Sequence, residues 1–321
     1  FIEWLIQNQH DDGSWGGDIP YYHDRIICTL TALISLSINN GSRASVQARR
    51  RGEKYLWHHL HMLPRDPFEL VGFELIFPTL LDEAQRLGLD VPNHAGGYEK
   101  IQTEKLRLIP SQMLYSPAIT TVHSLEFLGQ TADADRLAEA VFANGSLGNS
   151  PATTAYYASL EPGDDRPKQY LASVRDHTGY AIMLYPFRTY ELIWVLNNLD
   201  YSGVPPMTFA DAEVWDTLQS AMKPDGVSLD PTFGIPDGDN TAANSKLLTK
   251  GGFDVDPCIL ARFEGEDSKG FRTYPYERNP SVGTNAHALE ALQVLPDYPD
   301  AEAAREKLIV NLLDSRMFNP Y

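Results

Sequence analysis

The chain of 321 residues sets 26 Lys+Arg against 43 Asp+Glu, a formal charge of −17, and so lacks the excess of basic residues with which nucleic-acid binders neutralise phosphates. At 43% hydrophobic and 21% charged, its composition is that of a globular protein of one large or two ordinary domains, which excludes a disordered chain. The cysteines, Cys28 and Cys258, give no disulfide framework and suit a reducing, cytoplasmic setting, and no apolar run approaches the roughly 20 residues that span a bilayer.

In chain order the segments read mainly as helices. The sequence opens without Met inside a helix-like stretch, as a piece trimmed from a longer parent would. Ile27, Leu30, Ile34 and Ile38 recur at helical spacing over 24–38, and Tyr190, Ile193, Trp194 and Leu196 do so later. The stretch 200–207, with Gly203, Pro205 and Pro206, reads as a linker between domains at 1–199 and 208–321. Strand signals are weak, with 271–276 the best extended piece. Ala304, Leu308 and Leu312 mark one face of a helix that starts after Pro299. The fold class expected is all-α.

Three short segments look alike: Asp12-Gly13-Ser14-Trp15-Gly16, Asn144-Gly145-Ser146-Leu147-Gly148 and Asp225-Gly226-Val227-Ser228-Leu229. A repeated helix-turn-helix unit wound into α/α barrels would produce such a pattern, and so would unrelated turns, because Asp-Gly and Asn-Gly favour turns anywhere. His58, His59 and His61 lie close in sequence, but no third metal ligand accompanies the two that would share a helix face, so solvated helical histidines explain them better.

The most distinctive chemistry lies in Ile235-Pro236-Asp237-Gly238-Asp239-Asn240-Thr241-Ala242, which joins a Gly/Pro-rich loop to a helix start rich in small residues. One reading is a plain helix cap. The other is acid catalysis: two carboxylates held close resist double ionisation, and burial beside aromatic rings reinforces this, so that one remains a proton donor near neutral pH.

This cluster resembles the D-x-D-D-T-A motif of class II diterpene cyclases of the copalyl diphosphate synthase type. The likeness runs along essentially the whole chain. Leu5 to Gln9 with Asp12 to Gly16, His23-Asp24-Arg25, Gly72 to Pro78, Ser150-Pro151 with Thr154-Ala155-Tyr156, Tyr185-Pro186, and Glu191 to Trp194 follow in the family's order. The resemblance implies two α/α-barrel domains, γ up to residue 199 and β from 208, with the active site between them and the first β-domain helix missing from the chain. It implies geranylgeranyl diphosphate as substrate and a bicyclic copalyl-type diphosphate as product. Asp239 would be the general acid, supported by Asp237 and Asn240, with Asn285 holding the acid in its donating orientation. Taken alone, Asn285 reads equally as a helix cap or a satisfied core amide.

Further roles follow from the same resemblance. Trp194, Tyr185, Phe233, Tyr274 and Tyr276 are candidates to line the pocket, where aromatic faces stabilise passing cations. Lys105 and Arg107 match basic positions that approach the diphosphate, a role suited to the guanidinium fork. His123 matches the His of a plant-type base pair, but Met183 stands where its Asn partner would be. The acidic segment that relatives use for magnesium is reduced to Asp66 and Glu69, so Mg²⁺ is expected to come with the substrate. The motif's last Asp is Asn240 here, and an amide cannot share a proton as a carboxylate does. A fused class I synthase or prenyltransferase α domain is an expected partner, as in fungal bifunctional enzymes.

Other readings compete. A vestigial γβ scaffold is favoured by Asn240 and opposed by Asp237, Asp239 and Asn285. A squalene-type triterpene cyclase would carry many more Gln/Trp repeats. An α/α-barrel glycosidase or a prenyltransferase subunit lacks matching motifs.

Overall fold

The computed structural model describes all residues except 40, 68, 71, 161–162, 180–181, 266–269, 278–279, 296 and 316–321. The chain is overwhelmingly helical and divides into two compact units, one made of 1–116, 121–140 and 155–163, the other of 117–120, 141–154 and 164–321.

In the first unit, helices α1 (Ile2–Gln7), α2 (Tyr22–Ile38), α3 (Arg43–His59), α4 (Phe73–Arg86), α5 (Tyr98–Leu108), α6 (Ser111–Leu114) and α7 (Ala134–Glu139) follow one another. Helix α2 packs against α3 and α4, and α4 against α5. The apolar stripe on α2 is rotated from the one its spacing predicts. Ile26, Leu30, Leu33 and Leu36 are buried while Ile38 is exposed, because packing on two neighbours selects a different three-four series from a helix that is apolar over much of its girth.

Helix α8 (Pro151–Ser159) places its first turn in the second unit and the remainder in the first. The second unit continues with α9 (Arg166–Thr178), α10 (Arg188–Tyr201), α11 (Ala212–Ala221), a two-stranded antiparallel ladder of β1 (Val227–Ser228) and β2 (Pro236–Asp237), α12 (Gly238–Lys250), α13 (Val282–Val294) and α14 (Ala301–Asp314). The 200–207 segment lies within this unit: Tyr201 closes α10, and buried Pro206 begins a 3-10 turn. The 271–276 piece forms a single bridge, Phe271 to Glu264, rather than a strand.

Helix α12 is the centre of the second unit, packed by α10, α11, α13 and the β1–β2 ladder. Its buried surface is unusually polar, and hydrogen bonds offset the desolvation. Thr241 and Ser245 return their hydroxyls to the carbonyls of Asp237 and Thr241, and Asn244 donates to the Leu218 carbonyl. At its far end Lys246 meets Asp200 and Glu290 and sits 4.3 Å above the Tyr201 ring.

The three look-alike segments are built to one plan. Gly13, Gly145 and Gly226 donate their N–H groups to the carbonyls of His10, Phe142 and Lys223. All three glycines have positive φ, and a Cβ on Gly13 or Gly145 would lie 2.6 Å from the carbonyl oxygen of Arg51 or Arg166, so glycine is required there. Just beyond each turn a backbone N–H donates to a threonine on the following helix: Trp15 to Thr29, Leu147 to Thr154 and Val227 to Thr241, at 3.1, 3.0 and 2.9 Å. The three turns therefore share one hydrogen-bonding pattern.

Candidate active site

The Asp237-Gly238-Asp239-Asn240 cluster occupies the entry to α12. Asp237 is the N-cap: its Oδ1 accepts the Asn240 N–H at 2.8 Å, and its Oδ2 accepts from the Asn240 amide at 2.7 Å. The other end of that amide, Oδ1, accepts from Trp194 Nε1 at 3.0 Å. An indole donor on one side and a carboxylate acceptor on the other fix the amide's orientation. Asp237 is only 2% exposed. Burial pushes its carboxyl up to about 7, against the lowering effect of the Asn240 hydrogen bonds, and the neighbouring Asp239 charge adds to the rise. Asp237 thus caps the helix and also carries a raised carboxyl.

Asp239 lies two residues on, half-buried. Its Oδ2 accepts the Thr284 hydroxyl at 2.7 Å, and Thr284 in turn meets Thr273 Oγ1 at 2.8 Å. Asn285 does not supply this contact. It is fully buried, its Oδ1 accepts the Phe271 N–H, and its amide donates to the carbonyls of Phe271 and Ser281. It ties the 271 segment, which carries Thr273, to the start of α13, which carries Thr284. Gly270 approaches so closely that a Cβ there would lie 2.3 Å from Asn285 Oδ1.

The expected aromatic liners separate into groups. Trp194 is joined directly to the motif through Asn240 and stands edge-on to His287, with centroids 4.6 Å apart. Tyr274 stacks on Tyr276 at 5.8 Å. Its hydroxyl is held above the usual phenol range by burial first and then by the charges of Asp237, Tyr276, Glu277 and Asp239. The Tyr276 hydroxyl accepts the Thr120 N–H at 2.9 Å. Phe233 is buried against Phe142 and acts as core. Tyr185 packs by His177 at 5.9 Å, and its carbonyl accepts from Tyr170.

The residues of the first unit stand as follows. Lys105 is ion-paired with Glu74, a buried carboxylate on α4. Arg107 is exposed and borders a groove that also includes Asp82, Glu83 and Glu99. His123 is half-buried in a 3-10 segment, Thr120–Thr131, and Met183, in the second unit, is exposed. Asp66 accepts from the backbone N–H of buried His23 at 2.8 Å and pairs with its Nδ1 at 2.6 Å. Glu69 accepts from the Tyr98 hydroxyl. With both remaining acids of that segment engaged, and no cluster of three or more His, Cys, Asp or Glu residues placed to hold a metal among the described residues, these side chains do not fit a protein-held Mg²⁺.

Three residues not expected from the sequence join the site. Thr284 and Thr273 supply the hydroxyl chain, and Glu277, whose carboxyl is raised by burial despite N–H groups from Tyr274 and Thr273, is further raised by Asp239. Thr284 stands directly before Asn285 in the sequence, where a threonine in the first turn of a helix reads as part of the cap.

No family model matches the chain. A type B diterpene cyclase of Mycobacterium tuberculosis is 33% identical over 319 residues, covering 91% of this chain and 61% of that protein. The chloroplastic syn-copalyl diphosphate synthase of Oryza sativa subsp. japonica is 34% identical over 296 residues, covering 88% of this chain and 37% of that protein. The crystal structure of ent-copalyl diphosphate synthase from Arabidopsis thaliana, in complex with (S)-15-aza-14,15-dihydrogeranylgeranyl thiolodiphosphate, matches with a TM-score of 0.85 at 26% identity over 98% of this chain and 46% of that one. The chain thus spans less than two thirds of these proteins' lengths. Its homologues, matched over most of this chain in sequence and in fold, are class II diterpene cyclases of the copalyl diphosphate synthase type.

Proposed function

We propose that this chain carries the proton-donating centre of a class II cyclase acting on geranylgeranyl diphosphate. Asp239 gives a proton to the terminal alkene, the resulting tertiary cation is captured in turn by internal alkenes, and loss of a proton leaves a copalyl-type bicyclic diphosphate. Folding the polyene before protonation makes ring closure a positioned intramolecular event, and excluding water protects the cations. The observation that carries this reading is the carboxylate pair at the head of α12. Asp237 is sealed in and holds its proton toward neutral pH, while Asp239 is half-buried, with Oδ2 held by Thr284. A neutral Asp237 leaves Asp239 without an adjacent charge as it gives up its proton, which suits the protonation of a weakly basic alkene.

Around this centre we assign Trp194, Tyr274 and Tyr276 to the cation-facing wall and Arg107, with Lys105, to the diphosphate. Magnesium enters as a companion of the substrate diphosphate, since Asp66 and Glu69 are otherwise engaged. His123 is our candidate for the terminal base. By sequence we assign 1–199 to a γ barrel and 208–321 to a β barrel, with a fused α domain as partner and the cytoplasm as the compartment. No helix among the described residues is long and apolar enough to cross a membrane. The test is incubation of the full-length enzyme with geranylgeranyl diphosphate and Mg²⁺, followed by dephosphorylation and gas chromatography–mass spectrometry. A bicyclic alcohol is expected. Absence of product, restored by neither Mg²⁺ nor Asn240→Asp, would favour the vestigial scaffold.

A further inference from the structure

We infer that Thr284, backed by Thr273, is a positioning residue that decides which oxygen of Asp239 delivers the proton; this rests on Asp239 being the acid, as proposed above. A carboxylic acid carries one transferable proton on one of two oxygens, and a proton shared with a neighbouring hydroxyl is not aimed at an alkene. Asp239 Oδ2 receives the Thr284 hydroxyl at 2.7 Å. Thr284 has a single proton to give, so this bond is satisfied when Thr273, 2.8 Å away, donates to Thr284. A hydroxyl chain running from Thr273 through Thr284 to Oδ2 leaves the acidic proton on Oδ1.

The glycine before Thr284 completes the arrangement. A Cβ built on Gly283 would lie 3.7 Å from Asp239 Oδ1, so a larger side chain would stand over the donating oxygen, whereas glycine keeps it open. The two consecutive residues Gly283 and Thr284 thereby treat the two oxygens of one carboxyl differently. In the step itself the Oδ1–H bond breaks, a C–H bond forms on the alkene CH carbon, and the electron pair of the O–H bond stays on the carboxylate. The Thr284 hydroxyl, already aimed at Oδ2, then strengthens as a bond to an ionised acceptor with no reorganisation.

The experiment compares wild type, Thr284→Val, Thr284→Ser, Thr273→Val and Asp239→Asn in the full-length enzyme. Thr284→Val keeps the shape and removes the hydroxyl, and should lower kcat about 10- to 100-fold with KM within about twofold. Thr284→Ser should restore most of the rate, and Thr273→Val, which lies outside α13 and does not depend on that helix tolerating valine, should lower kcat several-fold. A readout without turnover is affinity for (S)-15-aza-14,15-dihydrogeranylgeranyl thiolodiphosphate, whose ammonium probes the carboxylate directly and which should bind about tenfold more weakly to Thr284→Val. Wild-type kcat and wild-type analogue affinity in both valine variants would overturn the inference. If Asp239→Asn is then inactive, the acid assignment survives and only the positioning role falls; if Asp239→Asn turns over, both fall.

Discussion

At the start of α8 the Ser150 hydroxyl accepts the Thr153 N–H at 3.3 Å, and at the start of α12 the Asp237 carboxylate accepts the Asn240 N–H at 2.8 Å. In both helices the threonine four residues after the cap returns its hydroxyl to the cap's carbonyl at 2.6 Å, Thr154 to Ser150 and Thr241 to Asp237. Each threonine also accepts the N–H that follows the preceding turn, from Leu147 or Val227. The sequences Ser150-Pro151-Ala152-Thr153-Thr154-Ala155 and Asp237-Gly238-Asp239-Asn240-Thr241-Ala242 are thus two versions of one helix entry. They differ where it matters for chemistry, with Ser150 opposite Asp237 and Ala152 opposite Asp239. Serine caps a helix as well as aspartate does, so the fold gains nothing from placing a carboxylate where burial opposes its charge. On the function proposed above, the acids at the entry to α12 are there for proton transfer.

Copying α8 into α12 is the strongest way to break this contrast. Asp239→Ala should abolish cyclisation, with kcat down by about 10³-fold or more, while stability changes by no more than about 1 kcal/mol and substrate affinity is retained. Product quantification beside a urea titration checks both halves. A large loss of stability would mean that Asp239 belongs to the scaffold after all.

Asp237→Ser should keep the cap and lower kcat by about 10²-fold. It should also alter the pH dependence of stability. The folded state holds the Asp237 proton to about pH 7, whereas the unfolded chain releases it near 3.8. This group's contribution is therefore complete below about pH 4 and is lost as the pH rises through about 7, a few kcal/mol at most. Denaturant titrations at pH 5 and 8 should show a smaller drop in Asp237→Ser than in wild type, and an equal drop would contradict the raised carboxyl.

Restoring a third carboxylate sharpens the same contrast. Asn240→Asp keeps an acceptor for Trp194 but replaces the amide donor that faces Asp237, so two buried carboxyls must share a proton. We expect kcat to rise several-fold and stability at pH 8 to fall by about 1–3 kcal/mol; an unchanged rate would mean that the amide serves as well as the acid. The smallest effects should come from the shared scaffold, where Thr154→Val and Thr241→Val each remove one hydroxyl that both donates and accepts. Each should destabilise by about 1–3 kcal/mol, and the two values should agree within about 1 kcal/mol. A large disparity would show that the two helix entries are alike in appearance only.

Much of this was legible from residue types at fixed spacing. The Asp-Gly and Asn-Gly dipeptides mark the three turns, and Asp237-Gly238-Asp239 stands out because a Gly/Pro-rich loop runs into a helix of small residues. What stayed hidden depended on partners distant in sequence. Lys105 is paired with Glu74 on a neighbouring helix, Asp66 with His23, and Asn285 with the backbone at Phe271 rather than with Asp239. Thr284 is not distinguished by sequence, because a threonine in a first helical turn has a local explanation that competes with any distant one. The β1–β2 ladder, two residues per strand, is too short to leave a period-two signal.

Running the full-length enzyme on geranylgeranyl diphosphate in D₂O and locating the label in the product asks whether the acids at the entry to α12 deliver a proton to the substrate. Because the Asp239 proton exchanges with solvent between turnovers, the account predicts one deuterium at the ring methylene carbon that was the terminal alkene CH. A cyclised product without deuterium at that carbon would mean that the reaction begins elsewhere, and would contradict the account.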